Sequence, residues 1–258
     1  MLFDGLVRPV TPADRMILAR ATGRRLLQSH GDQVLAIGVV GGSAKPERPT
    51  APLRLSAVLK SGVLKSGPAT SRVFFQDGCK LVLEVAAMDD WLATAGRMDL
   101  DWPLRGPQFH DVAILLETGD TFVELAKAEA EREAHGQGEA LAGAVMGEVA
   151  ERALDLFHAA DPPDPARIAT ALPLLAWALG RLVALANVHV FRDPADWPAE
   201  TAGLIQAPGG WTPFLDALAA QPAAGPSVAL DAARTVLNGL PEWLRALGAV
   251  TPADFPHA

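Results

Sequence analysis

The chain has no tyrosine, a single cysteine and few aromatic residues, 6% of 258, although half of its residues are hydrophobic. The missing tyrosine, beside abundant alanine, reflects genomic base bias more than chemistry. One cysteine, Cys79, excludes an internal disulfide and fits a reducing cytosol. No apolar run reaches the roughly 18 uninterrupted positions that span a bilayer. Met1 to Gly5 carry no basic segment ahead of an apolar core. The expectation is a cytoplasmic protein that makes no use of a membrane. Positive charge is also short: 22 Lys and Arg against 30 Asp and Glu leave a net charge of -8. Phosphate backbones are held mainly by surplus Lys and Arg, so a nucleic-acid partner is not expected. The acidic balance serves solubility, and as a partner preference it suits a small or polyvalent cation. The six histidines show no metal-binding spacing such as His-Glu-x-x-His.

What is present is a chain of two textures. Thr11-Pro12-Ala13-Asp14 reads as a helix start, with a hydroxyl cap, proline at the first position and an early acid. Apolar spacing then predicts a helix over 12–30. Val34 to Val40 is a continuous apolar run expected to form a strand buried on both faces, and Leu53 to Leu59 is the next strand. The connection between them contains Pro46 and Pro49. A direct repeat follows, Val58-Leu59-Lys60-Ser61-Gly62 and Val63-Leu64-Lys65-Ser66-Gly67, and reads as a duplication lengthening a surface connection. Asp77-Gly78, between strand-like runs at 72–75 and 80–85, predicts a hairpin. A short helix over 89–96 and a strand over 111–117 complete a mixed region.

Beyond Gly119 the pattern turns helical, near 120–135, 138–160, 165–189 and 228–248, with the Pro- and Gly-rich stretch 194–226 expected as a connection. The fold expected is α+β: a mixed β-sheet with flanking helices over 1–119, then an antiparallel helical bundle over 120–258.

Three separated segments carry a resemblance. They are His30-Gly31-Asp32-Gln33 leading into the first strand and Gly41, then Asp101-Trp102-Pro103-Leu104, and finally Asn238-Gly239-Leu240-Pro241-Glu242-Trp243. In that order and spacing the chain resembles the kanamycin (aminoglycoside) nucleotidyltransferases of the DNA polymerase β-like nucleotidyltransferase superfamily. The resemblance implies a nucleotidyltransferase-type sheet, transfer of a nucleoside monophosphate from a triphosphate to a hydroxyl, and a homodimer. It also implies magnesium held by an Asp-x-Glu pair on one strand face.

At those two positions stand Pro52 and Arg54, and neither binds magnesium. Arg54 brings a fixed positive charge that can pair with a phosphate or an acid. The third family carboxylate aligns near Val82, with Glu84 two residues on as the candidate metal ligand. The family's catalytic base aligns with Glu151, and a family lysine one turn later falls at Asp155. Gly41, Gly42, Ser43 and Lys45 form the candidate phosphate turn, completed by Arg54.

The leading expectation is a fold of this type whose metal-dependent transfer is lost or reduced, with a nucleotide or small-molecule ligand retained and no cofactor assigned. A second is an active transferase that uses magnesium on relocated acids, drawn from Glu84, Glu151, Glu47 and Asp77. A third is a dimeric interaction protein without catalysis.

Overall fold

Thr11 opens the first helix, α1 (Pro12–His30), its hydroxyl accepting the Asp14 N–H at 3.2 Å with Pro12 at the first position. This is a computed structural model, and it describes residues 8–43, 50–63, 70–105, 108–135, 137–191 and 194–249. Lys45, Glu47 and most of the second repeat copy lie outside the described residues.

Among the described residues five strands form one sheet: β1 (Val34–Val40), β2 (Leu53–Leu59), β3 (Thr70–Gln76), β4 (Cys79–Ala87) and β5 (Val112–Glu117), in the order β3-β4-β2-β1-β5. β2 and β4 run parallel, with Arg54 opposite Val82 and Ser56 opposite Glu84. The other pairings are antiparallel, so the sheet is mixed. The β3–β4 hairpin turns on Asp77 and Gly78, both at positive φ, which matches the right-handed strand twist.

Side chains alternate across the sheet. Leu53, Leu55, Ala57 and Leu59 pack with Leu18, Ala19 and Leu26 of α1. On the opposite face Ala36, Val58 and Ala86 pack with Trp91 and Ala95 of α2 (Met88–Ala95) and with Phe109. Trp91 is fixed by an Nε1–H bond to the Ala57 carbonyl at 3.0 Å and by an edge-on contact with Phe109. Gly38 sits under this face, where a Cβ would fall 2.2 Å from Val112 Cγ1 and 2.9 Å from Phe122, so only glycine leaves room.

The chain divides into two compact units that interleave. The first comprises Met1–Arg97 and Pro107–Arg132, the second Met98–Gly106 and Glu133–Ala258. After α3 (Trp102–Arg105) and β5, helix α4 (Thr121–His135) places Phe122 and Leu125 in the core on the α2 face of the sheet. Met98, Leu100 and Trp102 instead enter the core of the helical unit.

That unit is organised on α7 (Pro165–Ala186), capped by Asp164 through its carboxylate and buried almost continuously from Leu175 to Ala186. Its residues pack with α5 (Gln137–Ala144), α6 (Ala150–Ala160), α8 (Trp197–Ala202), α9 (Trp211–Ala224) and α10 (Pro226–Ala246).

Three expectations change here. The helix predicted over 138–160 is broken by a π-type segment at Val145–Val149, where Gly147 takes non-helical angles. The stretch 194–226 is not only a connection: Trp211, Phe214 and Leu215 at helical spacing anchor α9, and Pro198 and Pro213 fall in the first turns of α8 and α9, where the missing N–H costs least. One described helix, α7, does prove long and apolar enough by composition to cross a membrane, although Arg181 interrupts its run and 72% of its apolar window is buried within the protein.

Candidate functional site

The strand β1 is followed by Gly41 and Gly42, both at φ 62, and this left-handed pair turns the chain out of the strand. The turn is tied down from three sides. The Gly41 N–H donates to the Asp111 carbonyl at 2.8 Å and the Ser43 N–H to the Val40 carbonyl at 3.2 Å. Ser43 Oγ accepts the Arg54 N–H at 3.1 Å and donates to the Arg54 carbonyl at 3.3 Å, so the hydroxyl serves as a clip joining the turn to β2. Beneath it Arg15, fully buried, donates from Nε to the Ser43 carbonyl and from Nη2 to the Ala51 carbonyl, each at 2.8 Å. Burial lowers the Arg15 guanidinium below the usual arginine value, and the electrostatic attraction of the Cys79 thiolate works the other way. Arg15 thus pins both ends of the connection that contains Lys45.

Arg54 and Ser56 share the face of β2 that continues into Val58 and the α2-side core. Exposure rises along this face toward the glycine turn: Val58 and Ser56 are fully buried, whereas the Arg54 side chain is 36% exposed. Arg54 Nη2 meets Glu84 Oε1 at 3.5 Å, and the Glu84 side chain is 24% exposed. This is longer than the 2.7–2.9 Å typical of a charge-assisted hydrogen bond. Ser56 Oγ, opposite Glu84 in register, is buried without a hydrogen-bond partner among the described residues.

The donor set does not fit magnesium. A hard divalent cation takes oxygen ligands in near-octahedral array, and here the strand offers proline and a guanidinium, with Glu84 already engaged by that guanidinium. Among the described residues no group of three His, Cys, Asp or Glu side chains converges. Asp77 occupies the hairpin turn, where its carbonyl accepts from Arg8 Nε.

Glu151 projects exposed from α6, and one turn on Asp155 pairs with Arg152 at 3.4 Å. Glu151 and Glu84 belong to different compact units. Arg152, Asp155, Arg167, Thr170 and Leu174 line a cleft of about 370 Å³ between α6 and α7.

The sequence reading missed a second polar centre. Arg181, only 6% exposed within α7, bonds Asp101 at 2.5 Å through Nη1 and Glu148, on the π-type segment, through Nη2. Its guanidinium carbon lies 5.2 Å from the Trp177 ring centre. The signal was available: a lone arginine inside an apolar helical run needs an acid partner, and Glu148 was passed over for Glu151 three residues on. Nearby in the chain, His189 Nε2 lies 2.8 Å from Glu200 Oε2.

No protein-family model matches the chain, and none of the curated proteins matches it in sequence. Among solved structures it is similar to a nucleotidyltransferase-like protein from Exiguobacterium sibiricum 255-15, at 13% identity and a TM-score of 0.48, covering 88% of this chain and 74% of that one.

Proposed function

We propose that this is a nucleotidyltransferase-fold protein, akin by its motifs to the aminoglycoside nucleotidyltransferases, in which metal-dependent nucleotidyl transfer is lost or reduced while a nucleotide or small ligand is still bound. The observation that carries the reading is the Arg54–Glu84 pair: it stands across β2 and β4 where the resemblance calls for metal carboxylates. A guanidinium at that point repels a cation, and it draws Glu84 into an ion pair. Ser43 and Arg15 preserve the turn's shape without supplying metal ligands.

The test is a turnover screen with ATP and magnesium against aminoglycosides and other polyhydroxylated amines, reading AMP transfer and pyrophosphate release. The expected result is no transfer above background, and transfer at enzyme-like rates refutes the proposal. If instead Glu84→Gln or Glu151→Gln abolishes a measured transfer, the active-enzyme reading replaces it. We propose a homodimer on the same resemblance, and light scattering in solution tests the oligomeric state.

A further inference from the structure

We propose that β3 docks a second copy of this chain, two β3 strands pairing antiparallel about a two-fold axis so that the two sheets become continuous. It rests on the homodimer proposed above and names the surface that forms it. β3 is an outer strand of the sheet, and its two faces are unequal. Phe74 packs with the core on the α1 side, whereas Val73 and Phe75, on the opposite face, are 56% and 46% exposed. The hairpin settles which backbone groups look outward. Gln76 and Cys79 flank a two-residue turn, so Thr70, Arg72, Phe74 and Gln76 direct their N–H and carbonyl groups to β4, while Ser71, Val73 and Phe75 direct theirs away. Among the described residues nothing hydrogen-bonds that outward row.

The two edges of the sheet differ in their defences. β5, at the far edge, is irregular where its register against β1 shifts between Ile37 and Gly38, and such a bulge spoils further pairing. β3 keeps an unbroken register with β4, contains no proline, and carries a single charge, Arg72. Its sequence is complementary to itself in one register. Side chains that meet across a two-fold axis lie on the same sheet face, so the axis must pass through a residue. Centred on Phe74, Val73 of each copy lies opposite Phe75 of the other in hydrogen-bonded positions, and Arg72 of each lies opposite the neutral Gln76 of the other. Pairs of β-branched and aromatic residues are favourable across strands. Centred on Arg72, two guanidinium groups would stand face to face, which is destabilising. Centred on Val73, Phe75 would lie opposite Ser71. Only the Phe74 register matches the two exposed apolar side chains with each other. Arg25 Nη1 donates to Gln76 Oε1 at 3.3 Å, so in this register two exposed cations meet at Gln76. Salt screens them and should tighten the dimer.

Light scattering of the full chain over a range of concentrations reads the assembly, and cross-linking reads the register. A single strand pair is a small interface, so the expected dimer is reversible and dissociates on dilution. Val73→Lys removes an apolar partner twice per dimer and should weaken association by about tenfold or more, with an unchanged midpoint of unfolding because the residue is exposed. Val73→Cys and Phe75→Cys are each made together with Cys79→Ala, which removes the native thiol. Under oxidation an equimolar mixture of the two should form a disulfide-linked dimer, and neither variant alone should, because Cα atoms about 5.5 Å apart suit a disulfide only across the 73–75 pair. Three results overturn the inference and leave the homodimer to another surface: a dimer that Val73→Lys leaves as tight as the parent, a mixture that does not cross-link, or Val73→Cys that cross-links by itself. A chain that stays monomeric at every concentration refutes the inference and the homodimer together, and leaves the edge to a strand of another protein.

Discussion

Arg181 offers the sharpest quantitative test, because its two acid partners differ in exposure and so should differ in worth. The Glu148 side chain is 33% exposed and Asp101 is 61% exposed, while Arg181 itself is nearly enclosed. A hydrogen bond to a charged group contributes about 1.5–3 kcal/mol net when shielded. A pair with one well-solvated partner contributes about 0–1 kcal/mol.

Double-mutant cycles combining Arg181→Met with Glu148→Gln and with Asp101→Asn, followed by urea unfolding, separate the two couplings. The Arg181–Glu148 coupling should be about 1.5–2 kcal/mol and should survive 1 M salt, whereas the Arg181–Asp101 coupling should be below about 1 kcal/mol and vanish there. Arg181→Met alone should destabilise by about 1–3 kcal/mol, since methionine recovers part of the apolar burial but leaves two acids without their cation. Equal couplings, a stronger one to Asp101, or an Arg181→Met variant as stable as the parent would refute the burial argument.

Three other substitutions probe the packing within each unit, two at the glycine turn and one in the helical unit. Ser43→Ala removes the clip on both backbone groups of Arg54 and should cost about 1–2 kcal/mol in chemical denaturation. Gly180→Ala places a Cβ 2.4 Å from the Trp197 ring, so α7 and α8 must shift; an overpacking cost of about 1–3 kcal/mol should appear as a lowered midpoint of unfolding. Arg15→Met leaves the Ser43 and Ala51 carbonyls without their donor and should destabilise by about 2 kcal/mol. The pH dependence of that variant follows from the sign of the Arg15 shift. A base lowered in the folded state costs stability wherever it is charged, and the cost fades only as pH rises through the folded value. Arginine stays charged through neutrality, so the difference between Arg15→Met and the parent should be flat from about pH 6 to 9, and a slope there would count against the assignment.

Strands β1 and β2 and the helix from Pro12 to His30 were legible because each carries its own punctuation: a cap and proline, a continuous apolar run, or alternation between turn residues. Trp211–Ala224 was not, since its prolines and flanking glycines read as loop and its reason for being helical is the pocket that receives Trp211 and Phe214. Pro52 and Arg54, where the resemblance calls for metal carboxylates, are visible in the sequence alone. Arg54's engagement with Glu84 required the parallel register of β2 on β4, two strands joined through an intervening one. Glu148 and Glu151 are indistinguishable by spacing on an amphipathic helix, and only the broken geometry at Gly147 and the arrival of Arg181 separate them.

Local chemistry, then, determined what the sequence could settle by itself: where the first helix starts and where the hairpin turns. Those are short-range facts, fixed by backbone conformation. The tertiary structure decided which distant groups meet: Ser43 with the Arg54 backbone, Arg15 beneath the turn, and Asp101 and Glu148 on Arg181. Such pairings depend on register, on a helix's rotation about its axis, and on which core takes up each segment. Met98–Gly106 shows why: its residues pack with the helical unit although the chain on either side belongs to the sheet.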